Sequence, residues 1–170
     1  MKKNNASSIV LGTILISLGL VFLVIHNVDL ALHESWPIIF ILLAIGFYLP
    51  PLLIPALRQS LAPLFIPGSV MFALGIMFTY ATMTNDWLSI SYSWTLIPAG
   101  VGLGLFLGAW AGGWGKKSRR VGTYMLAISI GVFAIFSAIF AQEDILKNIA
   151  PFVLIAVGTV MMVQALRRLK

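Results

Sequence analysis

The sequence predicts an all-α integral membrane protein, with six transmembrane helices arranged as three parallel two-helix hairpin repeats. Three observations lead there. Six long apolar runs divide the chain, basic residues collect in alternate gaps between the runs, and two series of glycines recur at an interval of 56 residues.

Composition sets the frame. Of 170 residues, 60% are hydrophobic and 9% charged, against roughly 25% charged in a soluble domain. So few charges cannot cover a water-facing surface. The absence of cysteine excludes disulfides, Cys-ligated zinc, iron–sulfur clusters and thiol catalysis. A net charge of +6 and a pI near 10.0 would fit nucleic-acid binding in a soluble protein. In a membrane protein, Lys and Arg held on the cytoplasmic side give the same total, so the positions of the charges decide.

The apolar runs are Ser8–Ile25, Trp36–Ala56, Leu61–Met83, Ser93–Gly113, Val121–Ala141 and Ile149–Leu166, numbered here as spans 1 to 6. Crossing a hydrocarbon core takes about 20 apolar residues in a helix. No Asp, Glu, Lys, Arg or His lies inside spans 2 to 6, and His26 only borders span 1. Lipid offers the backbone no hydrogen-bond partners, so such runs must be helical. A β-barrel would show segments of about ten residues alternating apolar and polar, which are not seen. Span 1 is expected to be retained. Its run exceeds the usual ~7–15 residues of a leader, and Asp29-Leu30-Ala31 is a poor small-x-small cleavage site.

The gaps carry sorted charges. Lys2 and Lys3 precede span 1, Arg58 lies between spans 2 and 3, Lys116, Lys117, Arg119 and Arg120 lie between spans 4 and 5, and Arg167, Arg168 and Lys170 follow span 6. Ten of the eleven bases therefore fall on one side. The other side holds all five acids, Asp29, Glu34, Asp86, Glu143 and Asp144, with Lys147. Short basic loops stay in the cytoplasm, which places both termini there. Trp36, Trp87, Tyr92 and Trp94 fall near the outer interface, and Tyr48, Trp110, Trp114 and Tyr124 near the inner one, where amphipathic rings are favoured.

The repeats emerge from the glycines. Gly19, Gly75 and Gly131 each sit in a small–aliphatic–Gly–aliphatic string in the odd spans, at intervals 75 − 19 = 56 and 131 − 75 = 56. Gly46, Gly102 and Gly158 repeat that interval in the even spans, each after an aliphatic residue. Gly12 and Gly68 precede their partners by seven, where the third copy has Tyr124. The units run approximately over residues 8–57, 60–114 and 119–168. Two spans return the chain to its starting side, so successive units point the same way and can pack about an axis along the membrane normal.

A Gly-containing apolar helix, a short outer loop, a Trp-Pro-like start and a second helix with aliphatic-Gly resembles the LiaF/LiaI-like transmembrane region of bacterial envelope-stress proteins. The matching stretches are Gly12–Phe47, Gly68–Leu103 and Tyr124–Thr159. The resemblance implies a multi-pass protein of the bacterial cytoplasmic (inner) membrane with an envelope-related role. Full LiaF-type proteins carry a soluble domain after the helices, whereas here Lys170 closely follows span 6, so a sensing role tied to that domain is not expected. No functional residue carries over. Mitochondrial carriers share the three-hairpin layout, but their Pro-x-acid-x-x-base signature is absent.

A search for chemistry finds little. His26 and His33, with Asp29 and Glu34, hold the donor types of a zinc site. No His-x-x-x-His spacing or common helical face joins them, and an ordinary wet loop explains them. Gly100, Gly102 and Gly104 do not complete a nucleotide fingerprint and fall in mid-span. No cofactor and no nucleic-acid partner is expected. Lys116, Lys117, Arg119 and Arg120 are candidate contacts for anionic lipid headgroups, although a topology signal alone accounts for them. Asn5-Ala6-Ser7 matches a glycosylation pattern on the wrong side of the membrane. Pro50, Pro51 and Pro55 should kink or stop span 2 near Leu49. In span 4, Gly100, Gly104, Gly108 and Gly112 recur every fourth residue and form one slowly winding groove, a face for close helix packing.

Three functions are compatible with this reading. The first is a non-enzymatic membrane protein that acts through helix–helix, protein or lipid association, with a membrane-protein partner or a second copy of itself. The second is a transporter or channel for a neutral or weakly polar solute, since no ionisable residue lies inside the later spans to couple ions. The third, a lipid-modifying enzyme, needs a cluster of catalytic groups at one interface, and the sequence shows none. The first fits best.

Overall fold

The computed structural model describes residues 2–27, 35–141 and 144–169. Every regular element among them is a helix. The six main helices are α1 (Lys2–Asn27), α2 (Ile38–Leu53), α3 (Phe65–Thr84), α4 (Leu96–Ala111), α5 (Gly115–Phe140) and α6 (Asp144–Leu169). Single turns of helix occupy 55–64 before α3 and 87–93 before α4.

The breaks have local causes. Helix α2 runs through Pro50 and Pro51 to Leu53, a turn beyond the stop expected near Leu49. The two rings remove only the donors to the Gly46 and Phe47 carbonyls. The break follows at Ile54, because Pro55 has no N–H for the carbonyl of Pro51; that oxygen accepts instead from Arg58 Nε at 3.1 Å. Helix α3 ends at Asn85, whose φ of 53° is left-handed, a conformation Asn tolerates at helix ends. Asp86 then caps the turn at 87–89 by accepting from the Ser89 amide at 3.2 Å. The segment Trp87–Ser93 meets α4 at 52°. Gly113 and Gly115, at φ 69° and 85°, let α4 reverse into α5 within three residues.

The helices pack serially. Each of α1 to α6 packs extensively on its neighbours in sequence, so α4 lies between α3 and α5, while α1 and α6 form the edges. At one end, Trp36 stacks on Trp87 with centroids 6.3 Å apart and planes 5° apart, and Phe78 touches Trp36 and Phe40. This cluster ties the start of α2 to the end of α3.

The interior is built from small side chains. Ala44, Ala73, Ala81, Ala99, Ala127 and Ala134 are buried, as are Ser69, Ser129 and Ser137. The exterior carries large apolar ones, among them Leu11, Ile16 and Phe22 on α1, Ile135 and Ile139 on α5, and Phe152 and Ile155 on α6. A soluble monomer seldom exposes large contiguous apolar patches. In lipid, small residues let helices approach and large ones face the chains. By length and composition, residues 55–84 and 115–140 can each cross a membrane, and the bent pair 87–93 with α4 makes a third. Residues Leu11–Leu23, Ile38–Leu53 and Lys147–Val163 form shorter apolar stretches.

Candidate functional site

The closest packing centres on α4, where glycines bring backbones together on two sides. A Cβ at Gly100 would lie 2.8 Å from the Ser69 oxygen and 3.1 Å from Val70 Cα. One at Gly104 would lie 2.5 Å from Ile66 Cα and 2.7 Å from the Phe65 oxygen. At Gly112 it would strike Ala62 Cβ, and at Gly108 it would lie 2.6 Å from the Trp114 ring. The stripe read from the sequence therefore faces α3, the turn before it and Trp114, all within the chain.

The second side is Gly102, whose added Cβ would lie 2.6 Å from the Leu126 amide and 2.8 Å from the Gly122 oxygen. Gly122 returns the approach, 2.6 Å from the Gly102 oxygen. Gly122 was not singled out in the sequence. No spacing in the sequence marks it, because its partner is set by the reversal at residues 112–114.

The two glycine series meet different surroundings. A Cβ added at Gly75 would lie 2.6 Å from the Ile41 side chain and one at Gly131 3.9 Å from Val157, while one at Gly19 would meet nothing within 4 Å. In the even series Gly102 is tight, Gly158 has nothing within 4 Å, and Gly46 is buried. The tight members belong to helices flanked on both sides. The open ones, Gly19 and Gly158, lie on the edge helices α1 and α6.

Polar groups are sparse. Tyr48 donates to Ser69 Oγ at 2.9 Å, joining α2 to α3. Tyr92 is buried and packs on Phe133 with ring centroids 6.0 Å apart. Among the described residues no group of three His, Cys, Asp or Glu side chains could hold a metal. His26 is exposed at the end of α1; His33, Asp29 and Glu34 lie outside the described residues.

Lys116, Lys117, Arg119 and Arg120, read as a loop from the sequence, occupy the first two turns of α5 and are exposed. The Arg119 guanidinium sits 5.4 Å from the Phe106 ring centroid. A helix N-terminus carries partial positive charge and favours anions. Four cations there, with no acid in the first turn, form an electropositive patch that external anions would stabilise.

Two apolar cavities lie among the described residues. One of about 400 Å³ lies between α1 and α2, lined by Ile9, Gly12, Thr13, Gly46, Pro50 and Leu53 among others. The other, about 280 Å³, lies between Met77, Tyr80, Tyr92, Ser93, Leu96 and Phe133.

Comparison with protein-family models, with curated proteins and with solved structures gives no match.

Proposed function

We propose that this chain is a non-enzymatic protein of the bacterial cytoplasmic membrane that crosses the bilayer six times, as three parallel hairpins, and works by lateral association. Its partner is a membrane protein or a second copy of the chain. The envelope-related role implied by the LiaF/LiaI-like resemblance belongs to this reading.

The observation that carries it is the pair of edge helices. Of the two 56-residue glycine series, Gly75 on α3 and Gly102 on α4 face close neighbours within the chain and Gly131 on α5 an ordinary contact, whereas Gly19 on α1 and Gly158 on α6 face open space. Large apolar side chains flank both, including Ile16 and Phe22 on α1 and Ile155 and Met162 on α6. Nothing hydrophobic drives helices together within lipid, so association needs surfaces where backbones can approach.

The six-span reading draws support from the order of the ends. Arg58 lies between α2 and α3 and Lys116–Arg120 open α5, while Asp86 and Lys147 lie at the opposite turns. A 16-residue helix such as α2 spans about 24 Å. Its flanking turns and modest local thinning of the bilayer make up the difference from about 30 Å.

The test places a photo-crosslinking residue at Ile16 or Ile155 in native membranes, with Met77, which is buried, as the comparison. The edge positions should give a discrete intermolecular product and Met77 none. If Ile16 and Ile155 gave only lipid adducts, lateral association through the edge helices would be wrong.

A further inference from the structure

We propose that the cavity between α1 and α2 is a binding site for one anionic glycerophospholipid, with an acyl chain in the groove and its phosphate on Arg58. This rests on the six-span reading only in placing the groove in the inner leaflet.

The groove exists because of two glycines and a proline pair. Gly12 presents no side chain and a Cβ there would meet nothing within 4 Å. Gly46 leaves a gap opposite, and Pro50, Leu53 and Ile54 close the end. The resulting space, about 400 Å³, falls in the range of sites for organic ligands. Its lining of Ile9, Ile16, Leu49 and Leu53 offers an occupant dispersion contact and almost no hydrogen bonding. That chemistry fits a hydrocarbon chain.

Arg58 opens the turn Arg58–Leu61, which packs against both α1 and α2, the helices that wall the groove. Its Nε donates to the Pro51 carbonyl at 3.1 Å, next in sequence to the lining residue Pro50. That carbonyl lacks a helical partner because Pro55 has no N–H, so the proline pattern holds the guanidinium beside the last turn of α2. Arg has five N–H donors and a fork geometry suited to phosphate. Arg58 is the sole basic residue from 35 to 115, and Asp86, the next acid after it, lies at the opposite end of α3. Among the described residues no carboxylate pairs with Arg58, which leaves its guanidinium for an anion from outside the chain. An apolar groove joined to one fixed guanidinium is complementary to a single anionic lipid.

The experiment uses the purified full-length chain in mild detergent and native mass spectrometry, with phosphatidylglycerol and phosphatidylcholine of matched chains as probes. The wild type should retain one phosphatidylglycerol about tenfold more strongly than phosphatidylcholine, the scale of one charge-assisted contact. Arg58→Gln should remove the preference and Arg58→Lys keep part of it. Gly12→Leu should abolish retention of both lipids while leaving the elution volume unchanged and the melting temperature at or slightly above wild type, since the new side chain enters open space and Leu favours the helix more than Gly. Replacing Lys116, Lys117, Arg119 and Arg120 by Gln should leave this site intact. Inorganic phosphate at millimolar concentration should not displace the lipid. Undiminished phosphatidylglycerol retention in both Gly12→Leu and Arg58→Gln would overturn the proposal. So would loss of retention only in the quadruple variant, displacement by phosphate alone, or a changed oligomeric state in Gly12→Leu with lipid retention intact.

Discussion

Substituting Gly104 by alanine probes the contact on which the centre of the bundle depends. The new Cβ would stand 2.5 Å from Ile66 Cα, 2.7 Å from the Phe65 oxygen and 3.0 Å from the Ile66 amide nitrogen. All three are backbone atoms, so no side chain can swing aside. Ordinary contact begins at 3.4 Å, so α3 and α4 must part locally by 3.4 − 2.5 = 0.9 Å. A gap of that size forfeits about a quarter to a half of each neighbouring dispersion contact, and overpacking costs roughly 1–3 kcal/mol. Alanine returns about 0.5–1 kcal/mol through its lower backbone entropy cost in a helix. The net loss, roughly 0.5–2 kcal/mol when like ends of the two ranges are paired, lowers the melting temperature by about 1–8 °C for a chain of this size. Gly158→Ala is the opposite case, because nothing lies within 4 Å and only the helix gain of about 0.5–1 kcal/mol remains. It should raise the melting temperature by about 1–4 °C. Gly104→Leu should be worse than Gly104→Ala, and Leu107→Ala, off the stripe, should disturb assembly less. Fluorescence-detected size exclusion after heating reads these variants in detergent. A Gly104→Ala protein that melts at or above the wild type would refute the packing argument.

Other substitutions give distinct signs. Tyr48→Phe removes the donor to Ser69 Oγ and should cost about 0.6–1.5 kcal/mol, the scale of interhelical hydrogen bonds in membranes; Ser69→Ala added to it should cost less than Ser69→Ala alone, and full additivity in the thermal cycle would mean that the bond contributes nothing. Asn85→Gly should leave the melting temperature near wild type, whereas Asn85→Ala should lower it by the equivalent of about 1–2 kcal/mol, since φ is 53°; equal behaviour would show that the cap is not under conformational demand. Lys116→Gln with Lys117→Gln removes cations from the N-terminus of α5, so it should stabilise the protein in zwitterionic detergent and destabilise it in phosphatidylglycerol bicelles. The same sign in both media would exclude headgroup contact.

The sequence made the helical class legible because hydropathy is a property of long windows, and every apolar run coincides with a helix. The stripe of Gly100, Gly104 and Gly108 was legible because a spacing of four is one helical face. What escaped was anything set by packing between elements. Span 4 was read as starting at Ser93, and the helical segment Trp87–Ser93 that meets α4 at 52°, capped by Asp86, was not anticipated. Lys116 and Lys117 were read as loop, because charge marks a membrane boundary more strongly than it marks a helix start. Gly122 was overlooked beside Arg120, because its role depends on where α4 reverses. The packing of the Tyr92 ring beside Phe133 was not legible, because it depends on how the turn before α4 meets α5.

The central claim is that six helices cross the membrane with both termini in the cytoplasm, and the native absence of cysteine allows a direct measurement. Single cysteines at His26, Ser60, Ser91, Ser118 and Lys147, and one appended after Lys170, are treated in intact cells with a thiol reagent that cannot cross the membrane, then again after permeabilisation. Residues 26 and 147 report on α1, α2 and α6, the shorter apolar stretches, while 60, 91 and 118 report on the long ones. The account predicts labelling from outside at residues 26, 91 and 147 only, with residues 60, 118 and the appended cysteine reacting only after permeabilisation. Protection at 26, or labelling of the appended cysteine from outside, would contradict six crossings, and labelling at 118 from outside would reverse the orientation.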